Sequence, residues 1–221
     1  MLYNRFFLGF LFCCCLCCFW ACQASQTDRN SSESPLKQEN PHDSPLPQEL
    51  NIYPGDYTEI KIGVKGNHIS GVFFDESKTN RCILLFEGIL GTDNPIPIIA
   101  HNPSSKSATI KGTFLLSGQA MIVQLNNTLS KSCNQEFLDG VGLAAVLTEQ
   151  ADWSAIRMVA HSTALYEDFG GGIATDTQLP EGTVLAVLEK RKSWYRVQVQ
   201  NEQKDLGWVQ EYSLYPLLIH Q

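Results

Sequence analysis

From Leu50 onward, no segment carries the 3.6-residue apolar period over three helical turns. Short apolar runs alternate instead with glycine, proline, asparagine and aspartate, which is the pattern of strands joined by turns. The 16 Gly and 10 Pro fall among these runs and favour a β-rich protein over a helical one. Tyr57–Val64 alternates up to Lys65-Gly66-Asn67, a hairpin turn, and Ile69–Phe74 resumes the pattern. Further strands are expected at Cys82–Phe86, Ile96–Ala100, Thr109–Leu116, Ala120–Leu125 and Leu143–Leu147. Pro95, Pro97 and Pro103 place the middle of this series at an edge or in a loop. Residues 50–148 therefore read as an antiparallel barrel or sandwich of about six to eight strands. Residues 149–156 read as a linker, and Gln150–Ala155 is the best helical candidate in the chain.

The N-terminus has a different character. Met1–Arg5 is a short head with one cation, and Phe6–Ala21 contains no charge. A basic head before an apolar run of this length reads as a signal peptide over residues 1–21. An uncleaved anchor is the alternative, although the run is shorter than the ~20 residues of a usual membrane span. Residues 22–49 are rich in Ser, Pro, Gln and Asn and nearly free of large apolar side chains. Such a segment cannot bury enough surface to offset its ordering entropy, so it reads as a disordered tether. As a coil it would span roughly 30 Å, enough to hold folded modules clear of a membrane.

Six of the eight cysteines lie in or beside the apolar run: Cys13, Cys14, Cys15, Cys17, Cys18 and Cys22. Cys14–Cys17 and Cys15–Cys18 match the Cys-x-x-Cys spacing, but a zinc site needs a second ligand pair in a polar loop. In a greasy segment Cys acts as a small hydrophobe. Cys22 differs, because it ends the run, follows the small Ala21 and precedes the polar stretch. Phe19-Trp20-Ala21-Cys22 resembles the lipobox of bacterial lipoproteins. That resemblance implies acylation of Cys22 and membrane anchoring through the lipid; ordinary cleavage after Ala24 is the alternative. The remaining pair, Cys82 and Cys133, is most simply a disulfide in an exported chain. Catalysis by Cys82 finds no support, since Arg81-Cys82-Ile83-Leu84-Leu85-Phe86 offers no activating group.

A second pattern begins at Arg157. Met158-Val159-Ala160 and Ala164-Leu165-Tyr166 read as an opening strand pair, followed by the loop Gly170-Gly171-Gly172. Leu179-Pro180-Glu181-Gly182-Thr183 leads into the strand Val184–Leu188. Ser193-Trp194-Tyr195-Arg196-Val197, Leu206-Gly207-Trp208-Val209 and Tyr212-Ser213-Leu214 complete the series. This order resembles bacterial SH3 (SH3b) domains over about Ile156–Leu218, and the domain is placed at residues 157–218. Alternation independently puts Tyr195, Val197 and Val199 in a small core facing Leu185 and Val187, with Trp194, Arg196 and Gln198 outside. Trp208 reads as structural. An outward tryptophan calls for a partner or a cover. The resemblance implies a shallow aromatic groove, with Trp194 as anchor and Tyr166 and Tyr212 as its neighbours.

The fold class expected is thus mainly β: two antiparallel barrel or sandwich modules, the second SH3-like, after a disordered tether. A net charge of −7 argues against general nucleic-acid binding. The sequence holds no nucleophile elbow, zincin motif, phosphate loop or EF-hand. The five histidines (His42, His68, His101, His161, His220) form no i,i+4 pair, so neither a metal nor another cofactor is expected. Asp75-Glu76 and Glu136 with Asp139 read as solvated loop charge rather than a glycosidase pair. The leading reading is a non-enzymatic cell-envelope lipoprotein with no catalytic residues, whose SH3-like module binds peptidoglycan or an envelope protein. The alternative is a cell-wall hydrolase, or a regulator of one, with activity in residues 50–148.

Overall fold

The computed structural model describes residues 52–75, 82–103, 109–117, 120–126 and 142–219. The expected signal peptide, Cys22 and the tether lie outside them. Eight strands come first: β1 (Gly55–Tyr57), β2 (Ile60–Lys65), β3 (His68–Asp75), β4 (Cys82–Ile89), β5 (Ile96–His101), β6 (Ile110–Ser117), β7 (Ala120–Leu125) and β8 (Leu143–Gln150). Each pairs antiparallel with the next, and β1 pairs with β8 to close a barrel. The period of two fills its interior. Ile60 and Ile62, Ile69 and Phe73, Leu84 and Phe86, Ile96 and Ile98, Phe114, Met121 and Val123, and Ala145 all point inward and are buried. Phe86 and Phe114 meet edge to face, with ring centroids 4.9 Å apart.

Two local expectations change. Gln150–Ala155 is not a helix: Gln150 ends β8 and Ala155 begins the next strand. Four linker residues lie between them, and their apolar member Trp153 is buried against both modules. The Ile96–Ala100 run is not an edge or a loop either, because β5 lies between β4 and β6 inside the closed barrel. Pro97 is tolerated because it lies one residue beyond the last β4–β5 pair, Gly88↔Ile98. No ladder partner on that side needs its missing N–H.

Six more strands follow: β9 (Ala155–Met158), β10 (Thr163–Tyr166), β11 (Ala174–Leu179), β12 (Val184–Arg191), β13 (Trp194–Val199) and β14 (Leu206–Gln210). They form one antiparallel sheet in the order β11-β10-β14-β13-β12-β9, closed off by a 3-10 turn at Glu211–Ser213. The two opening strands do not pair with each other; β9 pairs with β12, while β10 lies between β11 and β14. The sheet wraps its own core of Leu165, Leu179, Leu185, Val187, Tyr195, Val197, Val199 and Val209. The alternation expected for β13 is therefore present, with Tyr195, Val197 and Val199 buried and Arg196 exposed.

Residues Pro47–Gln221 make one compact unit. A third apolar cluster joins the two sheets: Val72 and Leu85 from the barrel's outer face, Ile156, Met158 and Ala186 from the second sheet, and Trp153 between them. The backbones nearly touch here. A Cβ on Gly63 of β2 would sit 2.4 Å from backbone atoms of Ala155, so only glycine fits. Val64 donates its N–H to the Trp153 carbonyl (2.9 Å), and Ser154 donates to that of Val187 (2.8 Å), fastening the linker to both sides.

Candidate functional site

The outward positions of β10, β14 and β13 bring together Tyr166, Trp208 and Trp194. Tyr166 and Trp208 are direct cross-strand partners, as are Trp208 and Arg196. The Tyr166 and Trp194 rings meet edge to face at 5.3 Å, and both side chains are half-buried. Two of the three residues expected to form a groove are thus in contact. The third, Tyr212, stands in solvent on the 3-10 turn beyond Gln210, 71% exposed.

Sequence reasoning missed Phe169 and Arg191. The Phe169 ring covers Trp208 at 5.6 Å, and the Arg191 guanidinium lies 5.4 Å from the same indole, which is why Trp208 is buried on an outward face. Arg191 also pairs with Glu189, the residue at the β12 bulge. The loop that carries Phe169 is fixed from within. The Asp168 carboxylate accepts the N–H groups of Gly172 (3.1 Å) and Ile173 (3.2 Å). Gly171 has φ +77°, and a Cβ there would lie 2.6 Å from the Trp194 ring, so its glycine lets the loop rest on the indole. Exposed Ile173 and Leu206 extend the surface. The face offers ring edges, ring faces and a guanidinium to a ligand.

A second group lies where the two sheets meet. His68, Ser70, Glu87 and His101 point outward from β3, β4 and β5, beside the apolar outer residues Val72 and Leu85. Arg157 of β9 and the C-terminal segment Tyr215–Ile219 cover them. Ser70, Glu87 and Arg157 are each at most 6% exposed. The Ser70 hydroxyl accepts the Ile156 N–H at 2.9 Å. The Glu87 carboxylate accepts the N–H groups of Leu218 (3.0 Å) and Ile219 (2.9 Å), and His68 Nε2 lies 3.5 Å from it. Burial pushes the His101 imidazole below its usual range against the pull of Glu87, and burial likewise lowers Arg157. Of the five histidines scattered through the sequence, His68 and His101 face one carboxylate in space. The signal for this was His68 and Ser70 on the outward side of a strand whose next outward residue, Val72, is apolar.

Cys82 is fully buried in the barrel and disulfide-bonded. Cys133, its expected partner, lies outside the described residues, as do Cys22, Glu76, Glu136 and Asp139. Among the described residues, no group of three or more His, Cys, Asp or Glu side chains could hold a metal ion, and no helix is long and apolar enough to cross a membrane. No protein-family model, curated protein or solved structure matches the chain.

Proposed function

We propose that the protein is a non-enzymatic envelope lipoprotein whose second module, SH3-like in character, binds peptidoglycan or an envelope protein through its aromatic face. The observation that carries this reading is the Tyr166–Trp194 ring pair, set beside a glycine loop that Asp168 fixes in place. Preformed aromatic surface binds proline-like peptides and sugars at low conformational cost, because few rotors are frozen on contact. The Glu87, His68 and His101 group lends less to the hydrolase reading. Arg157 and the C-terminal segment lie over it, so a polymer cannot reach these side chains in this conformation.

Binding to purified cell-wall sacculi is expected to fall by about 2 kcal/mol or more in Trp194→Ala, roughly thirtyfold, as for an anchor residue. Half-buried and outward, Trp194 can be removed with the core intact, so the variant's melting temperature should stay near that of the wild type. Unchanged binding, or a binding loss that simply follows unfolding, would reduce Trp194 to packing. A screen of envelope proteins for a Trp194-dependent partner replaces the sacculi if these do not bind.

Anchoring is tested separately. The full chain should partition with membranes and incorporate an alkyne fatty acid, and Cys22→Ser should abolish both. An unlabelled, soluble wild type would remove the lipid anchor from this proposal while leaving the aromatic face untouched.

A further inference from the structure

The C-terminal segment Tyr215–Ile219 is a strap that leaves the second sheet and returns to the barrel. Tyr215 donates its N–H to the Met158 carbonyl at 3.0 Å, and its own carbonyl accepts from Arg157 Nη2. The Tyr215 hydroxyl reaches Glu181 at 3.1 Å, and its ring meets that of His101 at 6.4 Å. At its far end the strap gives two consecutive backbone N–H groups to the two Glu87 oxygens. Beneath it lies a small cleft lined by Ser70, Glu87, His101, Arg157, Tyr215 and Pro216, among others.

Closing the strap leaves this cleft poorly satisfied. His101 Nδ1 and Arg157 Nη1 are buried without a hydrogen-bond partner, and so is His68 Nε2 at the cleft's margin. Buried polar groups without partners favour any motion that brings water to them. At the strap's far end, beyond Pro216, closure rests on the Glu87 contacts, which are charge-assisted and strong.

The geometry points to an acid-operated latch: the strap stays closed while His101 is neutral and lifts when His101 takes up a proton. Among the described residues, the titratable and charged groups facing His101 are Glu87 from β4, Arg157 from β9 and Tyr215 from the strap, with His68 from β3 on the far side of Glu87. An imidazolium here needs an acceptor at its buried Nδ1, and Glu87, the one carboxylate among the described residues that line the cleft, already receives Leu218 and Ile219. Pairing with His101 pulls the carboxylate away from its geometry toward the strap, or water enters to solvate the new charge. Both routes weaken the strap's hold. The Arg157 cation in the same cleft raises the cost of a second buried positive charge.

The sign follows from burial. The folded state holds the His101 pKa below 6.5, so the unfolded or open state binds the proton first. The closed state is fully favoured above about pH 6.5 and loses stability as pH falls from there toward the folded pKa.

Amide exchange on the full chain in detergent micelles tests the latch. After correction for intrinsic exchange, protection of Leu218 and Ile219 should drop at least tenfold between pH 8 and pH 5. Barrel amides such as that of Ile62 should keep theirs. The midpoint should coincide with the titration of the His101 ring protons followed by NMR. His101→Phe, or His101→Gln if the phenylalanine variant does not fold, should stay protected at pH 5; Glu87→Gln should lose protection at both pH values. Protection that does not change with pH, or a drop that persists without His101 or away from its titration, overturns the proposal.

Discussion

Trp153→Ala is expected to destabilise the chain by about 3–5 kcal/mol, the usual cost of emptying a large aromatic site in a core. Trp153 is 5% exposed although it lies in a four-residue connection, because both modules close around it. On one side are Val72 and Leu85 of the barrel; on the other are Ile156 and Met158. The Lys61 ammonium lies over the indole, 5.7 Å from its centroid, and is itself tied to Asp56. Because the residue is shared, its loss should also change the form of unfolding. Scanning calorimetry should show one transition for the wild type and two separated transitions for the variant. A single transition shifted by less than a degree or two would mean that the modules are joined by the chain and not by this core.

Tyr195→Ala should cost a similar amount, about 3–5 kcal/mol, within the second module. Tyr195 is 5% exposed, and its ring has two cations over it, the Arg157 guanidinium at 5.6 Å and the Lys190 ammonium at 5.0 Å. Its hydroxyl donates to Glu211 at 2.9 Å, the carboxylate that also pairs with Lys190 at 2.8 Å. Tyr195→Phe keeps the ring and removes only the hydrogen bond, so a loss of about 1 kcal/mol is expected. Chemical denaturation of both variants separates ring from hydroxyl. Equal losses would place the stabilisation in the hydroxyl alone. Acid should act on the same group of side chains. Burial opposes ionisation of Glu211, yet the Lys190 and Tyr195 hydrogen bonds hold its pKa below the usual range. Its contribution is present above the ordinary carboxylate pKa and fades as pH falls below it.

The sequence made the strands legible and their partners far less so. Period-two alternation located the interior of nearly every strand, because one face of each is buried in a barrel or sheet core. It missed β1 as a separate element, since Gly55–Tyr57 is only three residues long, missed the polar edge strand β11 (Ala174–Leu179), and started β9 too late, at Met158. The break before Ile60 comes from Glu59 at φ +62°, a conformation that no glycine announces there. The Trp194–Tyr166 contact could be anticipated from alternation and resemblance together. Phe169 over Trp208 could not, because loop contacts have no period. The strap's contact with Glu87 was hidden: Leu218 and Glu87 are 131 residues apart in the chain. Only the three-dimensional path of the strap brings them together.

Barrel closure has a consequence for how such a chain behaves when crowded against its own copies. An open sheet has two edges at which a foreign strand can add, and each is a starting point for aggregation. The β1–β8 seam removes both from the first module. In the second, the far side of β9 is engaged by the Ser70 hydroxyl and the Tyr215 amide. Among the described strands this leaves β11, Ala174–Leu179, as the one open edge. Its sequence is polar, with two threonines, and it is interrupted by Asp176; charge on an edge is one way edges are kept from propagating. Dense display on a surface is therefore compatible with this fold, and a substitution such as Asp176→Val is where strand-to-strand polymerisation would begin.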